Sequence, residues 1–480
     1  MTDSDRADDS APADSPRGDA IAIWQAGVDA VRAEPLVRRV TRTDGDRLLI
    51  EDHSWDRREY DRILVVGGGK AAAAMARGFA AAVGQWLPIQ GWVNVPGGTE
   101  GDSAGTGREI AGIHVHPARP PGVNEPTPEA VQGTERILEL FENATPRDLC
   151  VTLLSGGGSA LLPAPAPGIS LDDKLVVTRR LSESGADITE LNTVRKWLSA
   201  IKGGRLWERC RGRSLITLVL SDVLGDPLEL IASGPTVADT STPDDALAVL
   251  RKYDPDRTLP EAVYGRLRSA RAGNLGKQET ARRVPVIHLV IGNNAVAVDA
   301  AGSCAERLGY NHAMHSARRC EGPAEEVGRQ LASMAIEMLG TGRSASRPSH
   351  RTNCLITGGE PTVMLAPPER RGRGGRNQQL VLAAYLALHD AGLSDSQWSR
   401  LALVSGGTDG EDGPTDAAGA VIDADLHRRV TALGLDPADA LNRNDAYTFF
   451  RAAGGLLRTG PTGTNVCDVR VLVIRPRATP

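Results

Sequence analysis

Short apolar runs recur along the chain, and each closes on small or polar residues. The runs are RILVV (62–66), CVTLL (150–154), LITLVL (215–220), VIHLVI (286–291), CLIT (354–357) and LALV (401–404). Most are followed, after a polar turn, by sequence with helical character. Fully buried strands alternating with helices predict parallel sheets in an α/β protein. The strand ends read GGGK, SGGGS, SDVLGD, GNN, GGE and SGGTDG. Ligands of open parallel sheets bind beyond the carboxyl ends of the strands, so these six ends predict a large polar cleft.

A chain of 480 residues is too long for one ordinary core, and two domains are expected. Residues 1–20 are rich in Asp, Ser, Ala and Pro, with almost nothing to bury, and read as a disordered acidic tail. An N-terminal domain is expected over 21–280 and a C-terminal one over 281–480. Polar breaks fall at 341–353 and at the Gly/Arg-rich stretch 366–376.

Charge and cysteine usage exclude several classes. The net charge of −5 comes without a basic arm, which argues against nucleic acid. No apolar stretch is long enough to span a bilayer. The six cysteines form no C-x-x-C pair, so a disulfide framework or zinc site is not expected, and reduced thiols in the cytoplasm fit better. The histidines form no H-E-x-x-H, and His114 and His116 lack a third ligand on their strand face.

The turn at Gly67, Gly68, Gly69 and Lys70 joins a strand to an alanine-rich helix, the physical recipe for an anion held on backbone N–H groups. Walker A is excluded, because Leu64 holds its first glycine position and Ala71 follows the lysine. The turn matches G-x-G-x-x-A through Gly67, Gly69 and Ala72, yet the candidate second strand GWVNVP carries Asn94 where a ribose-binding acid belongs. A plain packing turn is the bland alternative. Lys70 adds a full positive charge to the helix dipole and favours an anion site.

Ser155 and Ser159 flank Gly156, Gly157 and Gly158, whose N–H groups are candidates for an anion nest. Asp222 follows a strand and Asp226 its turn, positions suited to a general base, an Mg²⁺ ligand or a plain Asx-turn. Arg373 and Arg376 open a helix from a glycine loop and suit a carboxylate or phosphate. The loop 405–419 gathers Asp409, Glu411, Asp412 and Asp416. It fails as an EF-hand, because its twelfth position counted from Asp409 is Ala420.

Taken in order, GGGKAAAAMA, LLSGGGSALL, LNTVRKWLSAIKGGRL, LVLSDVLGDPLELIASGPTV, TGGEPTV, GRGGRNQQ, GTDGEDGPTDAAGAVID and TGPTGTNVCDV resemble the glycerate 2-kinase family. The resemblance runs from about residue 20 to the end of the chain. It implies a Rossmann-like N-terminal domain with a parallel sheet, a C-terminal α/β domain of the MOFRL type, and an active site in the cleft between them. It also implies ATP- and Mg²⁺-dependent phosphorylation of D-glycerate at its 2-hydroxyl. The residues carried over are Lys70, Asp222, Glu360, Arg376, Asp409 and Asn465.

On that reading Lys70, Asp222 and Arg376 are catalytic, and Asp222 and Asp409 serve the metal. Gly68, Gly69, the Ser155–Gly156–Gly157–Gly158–Ser159 turn, Glu360 and Asn465 bind substrate or nucleotide. Trp197, Pro361 and Gln379 depart from the pattern, which has His, Thr and Glu there, and Trp197 is expected to reshape the substrate pocket. The expected partners are D-glycerate and ATP, with no nucleic acid and no membrane, and a homodimer is admissible. A kinase for a related sugar acid and an NAD(P)-dependent hydroxypyruvate reductase are the alternatives.

Overall fold

The computed structural model describes residues 15–98, 108–120, 123, 125–273, 284–340 and 352–476. They divide into two compact units, one formed by Ala33–Gly292 and the other joining the chain up to Arg32 with Asn293 onward. The boundary expected at 280 therefore moves to 292. The run VIHLVI is the reason, because it pairs parallel with LITLVL and completes the first unit's sheet.

Most of the expected acidic tail, 1–14, lies outside the described residues. Residues 16–20 are not tail but the first turns of the helix Pro16–Ala30. Ser15 caps that helix by accepting the Gly18 N–H at 3.0 Å, and Pro16 starts it in the favoured first position. Its Ile23, Trp24 and Val28 are fully buried, which a disordered segment would not be.

The first unit opens with an antiparallel meander, β1 (Thr41–Asp44), β2 (Arg47–Ile50) and β3 (His53–Asp56). Its main sheet contains β4 (Arg62–Gly68), β5 (Ile89–Pro96), β6 (Arg108–Ile110), β7 (Ile113–Arg119), β8 (Asp148–Leu154), β9 (Ser214–Leu220) and β10 (Val286–Gly292). The spatial order is β10-β9-β8-β4-β5-β7-β6, parallel throughout except for the short edge strand β6. Every residue of β8 is buried, as a central parallel strand covered on both faces requires.

The second unit has a six-stranded sheet of β11 (His312–Ser316), β12 (Cys354–Gly359), β13 (Leu401–Gly407), β14 (Gly419–Ile422), β15 (Leu456–Leu457) and β16 (Asp468–Ile474). Its order is β11-β12-β16-β13-β14-β15, and β11–β12 is the one neighbouring pair that is parallel among the described residues. The expectation of parallel sheets fails here, because β16 inserts antiparallel between β12 and β13. Its core packs Leu380, Tyr385, Trp398, Leu403, Phe450 and Leu472.

Candidate active site

The six polar strand ends do not share one edge. Those of β4, β8, β9 and β10 lie along the first unit's sheet, and those of β12 and β13 belong to the second.

In the first unit the glycines after β4 are dictated by its neighbours. A Cβ on Gly67 would collide with the Leu153 carbonyl of β8. Gly69 has φ +147° and lies against Ser155, so a side chain there would meet both strain and collision. The Lys70 N–H donates to Gly156 O at 2.8 Å, and the Ala71 N–H donates to the Ser155 hydroxyl at 3.0 Å. Ser155 is thus buried and ties the two turns together. The Gly158 N–H is spent on Ser155 O at 3.2 Å, so part of the expected nest serves the turn itself. Ser159 Oγ lies 3.0 Å from Ser233 Oγ.

Beside these turns lies a cavity of about 350 Å³. Lys70, Gly157 and Ser159 line it, together with five cations that the sequence reading did not assign: Arg119, Lys174, Arg179, Arg195 and Lys202. Glu125 is the one carboxylate in the wall among the described residues, and Arg179 grips it through two bonds of 2.9 and 2.6 Å. Lys202 is fully buried, its ammonium donating to the carbonyls of Ser159 and Ala232 at 3.2 Å each. Burial, then Arg195 and Lys174 nearby, holds its pKa well below that of a free lysine. Lys174 donates to Leu198 O at 3.1 Å, and burial with Arg195 and Arg205 lowers it to about 7. Arg195 and Lys202 stand inside the quoted LNTVRKWLSAIKGGRL, so the signal was present but carried no role.

Trp197 does not line this cavity. Its indole N–H donates to Ser241 Oγ at 3.3 Å, and the Arg205 guanidinium sits 5.3 Å from the ring centroid. Asp222 follows β9 on the same sheet edge as Lys70, with β8 between their strands. Asp226 occupies a turn at φ +55°.

The acid position of a dinucleotide fold is filled by Asn94, buried on β5. Its amide donates to Leu161 O at 2.8 Å, Ala130 O at 3.2 Å and Thr134 Oγ1 at 3.3 Å, and its carbonyl accepts the Trp92 indole N–H. Both ends of the amide are thus engaged inside the protein. His114 and His116 pack against Trp92, with His114 stacked at 4.0 Å, and are structural.

In the second unit Arg376 begins the helix Arg376–Asp390 and holds two carboxylates. Its Nε and Nη2 donate to Asp468 at 2.7 and 3.0 Å, and its Nη1 donates to Glu360 at 2.6 Å. Burial alone would depress this guanidinium, but Asp468 and then Glu360 outweigh it and hold the pKa well above the ordinary value. Asp468 lies opposite Gly359 of β12 and Gly407 of β13, so the antiparallel strand delivers it to the ends that carry Glu360 and Asp409. Asp409 Oδ1 accepts the Glu411 N–H at 3.1 Å, and Asn465 Oδ1 accepts the Cys467 N–H at 3.3 Å.

The other loop acids have separate duties. Asp412 is buried and accepts the N–H groups of Asn377 and Gln378 at 3.0 and 2.8 Å, while burial pushes its carboxyl up to about 7. Asp416 accepts the Tyr447 hydroxyl at 2.7 Å. Gln379 donates to Glu325 at 2.9 Å and Leu441 O at 2.9 Å, a packing role. Pro361 follows Glu360 directly.

Among the described residues no three His, Cys, Asp or Glu side chains gather as a metal cage. Mg²⁺ at phosphate sites keeps several waters and takes one or two carboxylates plus phosphate oxygens, and Asp222 and Asp409 are carboxylates of the kind it takes. No helix among the described residues is long and apolar enough to cross a membrane.

Comparison with known proteins agrees with this layout. Residues 19–268 match the family model described as a domain of unknown function, DUF4147, and residues 353–468 match the MOFRL family. A glycerate kinase of Danio rerio is 37% identical, covering 95% of this chain and 97% of its own. A D-glycerate 2-kinase of Thermotoga maritima is 39% identical over 86% of this chain and 91% of its own. The crystal structure of a T. maritima glycerate kinase superposes with a TM-score of 0.76 at 35% identity, covering 95% of this chain and 98% of that one.

Proposed function

The chain belongs to the glycerate kinase family and its activity is that of a glycerate 2-kinase, and from this premise we propose how its residues divide the work. The reaction moves the terminal phosphoryl group of ATP to the 2-hydroxyl of D-glycerate, giving 2-phosphoglycerate and ADP. The observation that carries the reading is the cationic cavity around Lys70, in a chain that matches glycerate kinases along nearly its whole length.

Phosphoryl transfer needs positioning and charge neutralisation, with one base near the attacking hydroxyl. We assign Lys70 and Arg376 to neutralising the glycerate carboxylate and the γ-phosphate. Gly68, Gly69 and the Gly156–Ser159 turn let the anion approach the backbone closely, although the Gly69 and Gly158 N–H groups are spent on Asn94 O and Ser155 O, and Glu360 and Asn465 orient bound groups. Asp222 accepts the proton of the 2-hydroxyl or holds the metal, and Asp409 shares the metal role. Mg²⁺, when bound, offsets phosphate charge. Free thiols at all six cysteines support the cytoplasm as the working compartment. A homodimer belongs to the same proposal, and size-exclusion chromatography with light scattering tests it.

The test is a coupled assay with purified protein, Mg-ATP and D-glycerate. Product that enolase consumes without added mutase is 2-phosphoglycerate, the expected result. Absence of glycerate-dependent ADP release overturns the reading. A panel of other small hydroxy acids separates the related sugar-acid kinase, which requires a better substrate than D-glycerate.

A further inference from the structure

The Lys70 cavity holds far more positive charge than a three-carbon acid can answer. Among the described residues six basic side chains line it against one carboxylate, and that carboxylate is already bridged to Arg179. Two of the cations are buried on backbone carbonyls, Lys202 on Ser159 and Ala232 and Lys174 on Leu198. A buried ammonium held by carbonyls keeps much of its desolvation cost, which an arriving anion offsets. Glycerate carries a single charge, which is small beside so basic a wall. A polyphosphate chain carries several charges along its length, as the cations are spread round the wall.

Position argues the same way. The cavity adjoins the turns after β4 and β8, at the carboxyl edge of a parallel sheet, where nucleotide phosphates dock in open α/β folds. Its volume of about 350 Å³ falls within the range of pockets that enclose whole small molecules. The helix Ile188–Trp197 brings Arg195 and the helix Leu171–Glu183 brings Lys174, so two helices outside the glycine turns contribute cations.

We propose that this cavity is the polyphosphate site of the nucleotide, with Arg119, Lys174, Arg195 and Lys202 as anion-binding residues beside Lys70. The assignment deepens, and rests on, the kinase reading given above. It resolves the ligand of Lys70 in favour of phosphate over the glycerate carboxylate. The carboxylate is then left to Arg376.

The probes are inorganic tripolyphosphate and D-glycerate, titrated by calorimetry into the full-length protein and into Arg195→Gln and Lys174→Met. Lys174→Met removes a buried charge and keeps the length of the side chain, so it folds even if Arg195→Gln does not. The expected result is tripolyphosphate binding by the wild type that weakens at least about tenfold in each folded variant, the size of one charge-assisted contact. Glycerate binding stays within about twofold, and in turnover KM for ATP rises while KM for glycerate holds. A rise in KM for glycerate with tripolyphosphate binding unchanged would overturn the assignment and leave the kinase reading intact. Tripolyphosphate binding that is equally strong in both variants overturns it as well. Failure of the kinase reading looks different, since the wild type then releases no ADP on adding glycerate.

Discussion

Arg376 and Asp468 form a two-bonded ion pair in which the carboxylate is fully buried, with Nε–Oδ2 at 2.7 Å and Nη2–Oδ1 at 3.0 Å. Two parallel bonds fix the plane of the guanidinium, and the remaining arm then meets Glu360. Asp468 therefore sets the direction in which Arg376 presents its charge, although it was not among the residues expected from motifs.

Arg376→Ala and Asp468→Asn should consequently fail in different ways. Arg376→Ala removes the charge assigned to the reacting anion and should lower kcat at least about 100-fold, the scale seen when a charge-stabilising group is lost. Asp468→Asn keeps shape but leaves Arg376 short of its buried partner, costing about 3 kcal/mol in urea unfolding. Its kcat should fall about tenfold, and Asp468→Glu should restore part of it. Unchanged kcat in Arg376→Ala would remove that residue from the catalytic set.

Gly69→Ala tests the turn under Lys70. Alanine at φ +147° is strained, and its methyl group would enter the space of the Ser155 hydroxyl that holds Ala71. Overpacking and strain of this kind cost about 1–3 kcal/mol each. Activity should fall as far as in Lys70→Ala, at least about 100-fold, because the lysine is displaced from the cavity. Steady-state kinetics of both variants decide it, and a Gly69→Ala enzyme with wild-type kcat would show that the turn does not position Lys70.

All six apolar runs formed strands, because a short Val/Ile/Leu run with a polar end leaves little choice of element. Their direction was another matter. Buried strands read alike whether parallel or antiparallel, so the insertion of β16 between β12 and β13 was not visible, and Asp468 went with it. The glycine turns were legible because GGGK and SGGGS punctuate strongly. Lys174, Arg195 and Lys202 were not, since a lysine or arginine ordinarily faces solvent. Only the fold shows that these three converge on one cavity.

Residues 16–20, the start of the helix Pro16–Ala30, read as tail for a similar reason, as they share the composition of the segment before them. Trp24 is completely buried, packs on Gly406 of β13, and donates its indole N–H to the Gly406 carbonyl at 3.3 Å. Asp19 accepts the Arg475 guanidinium at 2.8 Å and the Tyr310 hydroxyl at 2.5 Å. Trp24→Ala should therefore destabilise the Asn293-onward unit by about 3–5 kcal/mol. Chemical denaturation followed by circular dichroism measures this. A shift below about 1 kcal/mol would mean the helix is dispensable.

Lys174 gives the chain a pH signature with a definite sign. Burial, then Arg195 and Arg205, lowers its ammonium from the ordinary 10.5 to about 7. Between those values the folded protein binds fewer protons at this site than the unfolded chain, so the Lys174 contribution to stability rises with pH across the window. Below about 7 both states are protonated, and the cost of the buried charge is constant and complete. Lys174→Met has no such cost. The variant should exceed the wild type in stability most clearly at pH 6–7, and the gap should narrow steadily toward pH 10. Guanidinium denaturation of both proteins at several pH values provides the comparison. A gap that stays constant or widens with pH would show that Lys174 keeps an ordinary pKa.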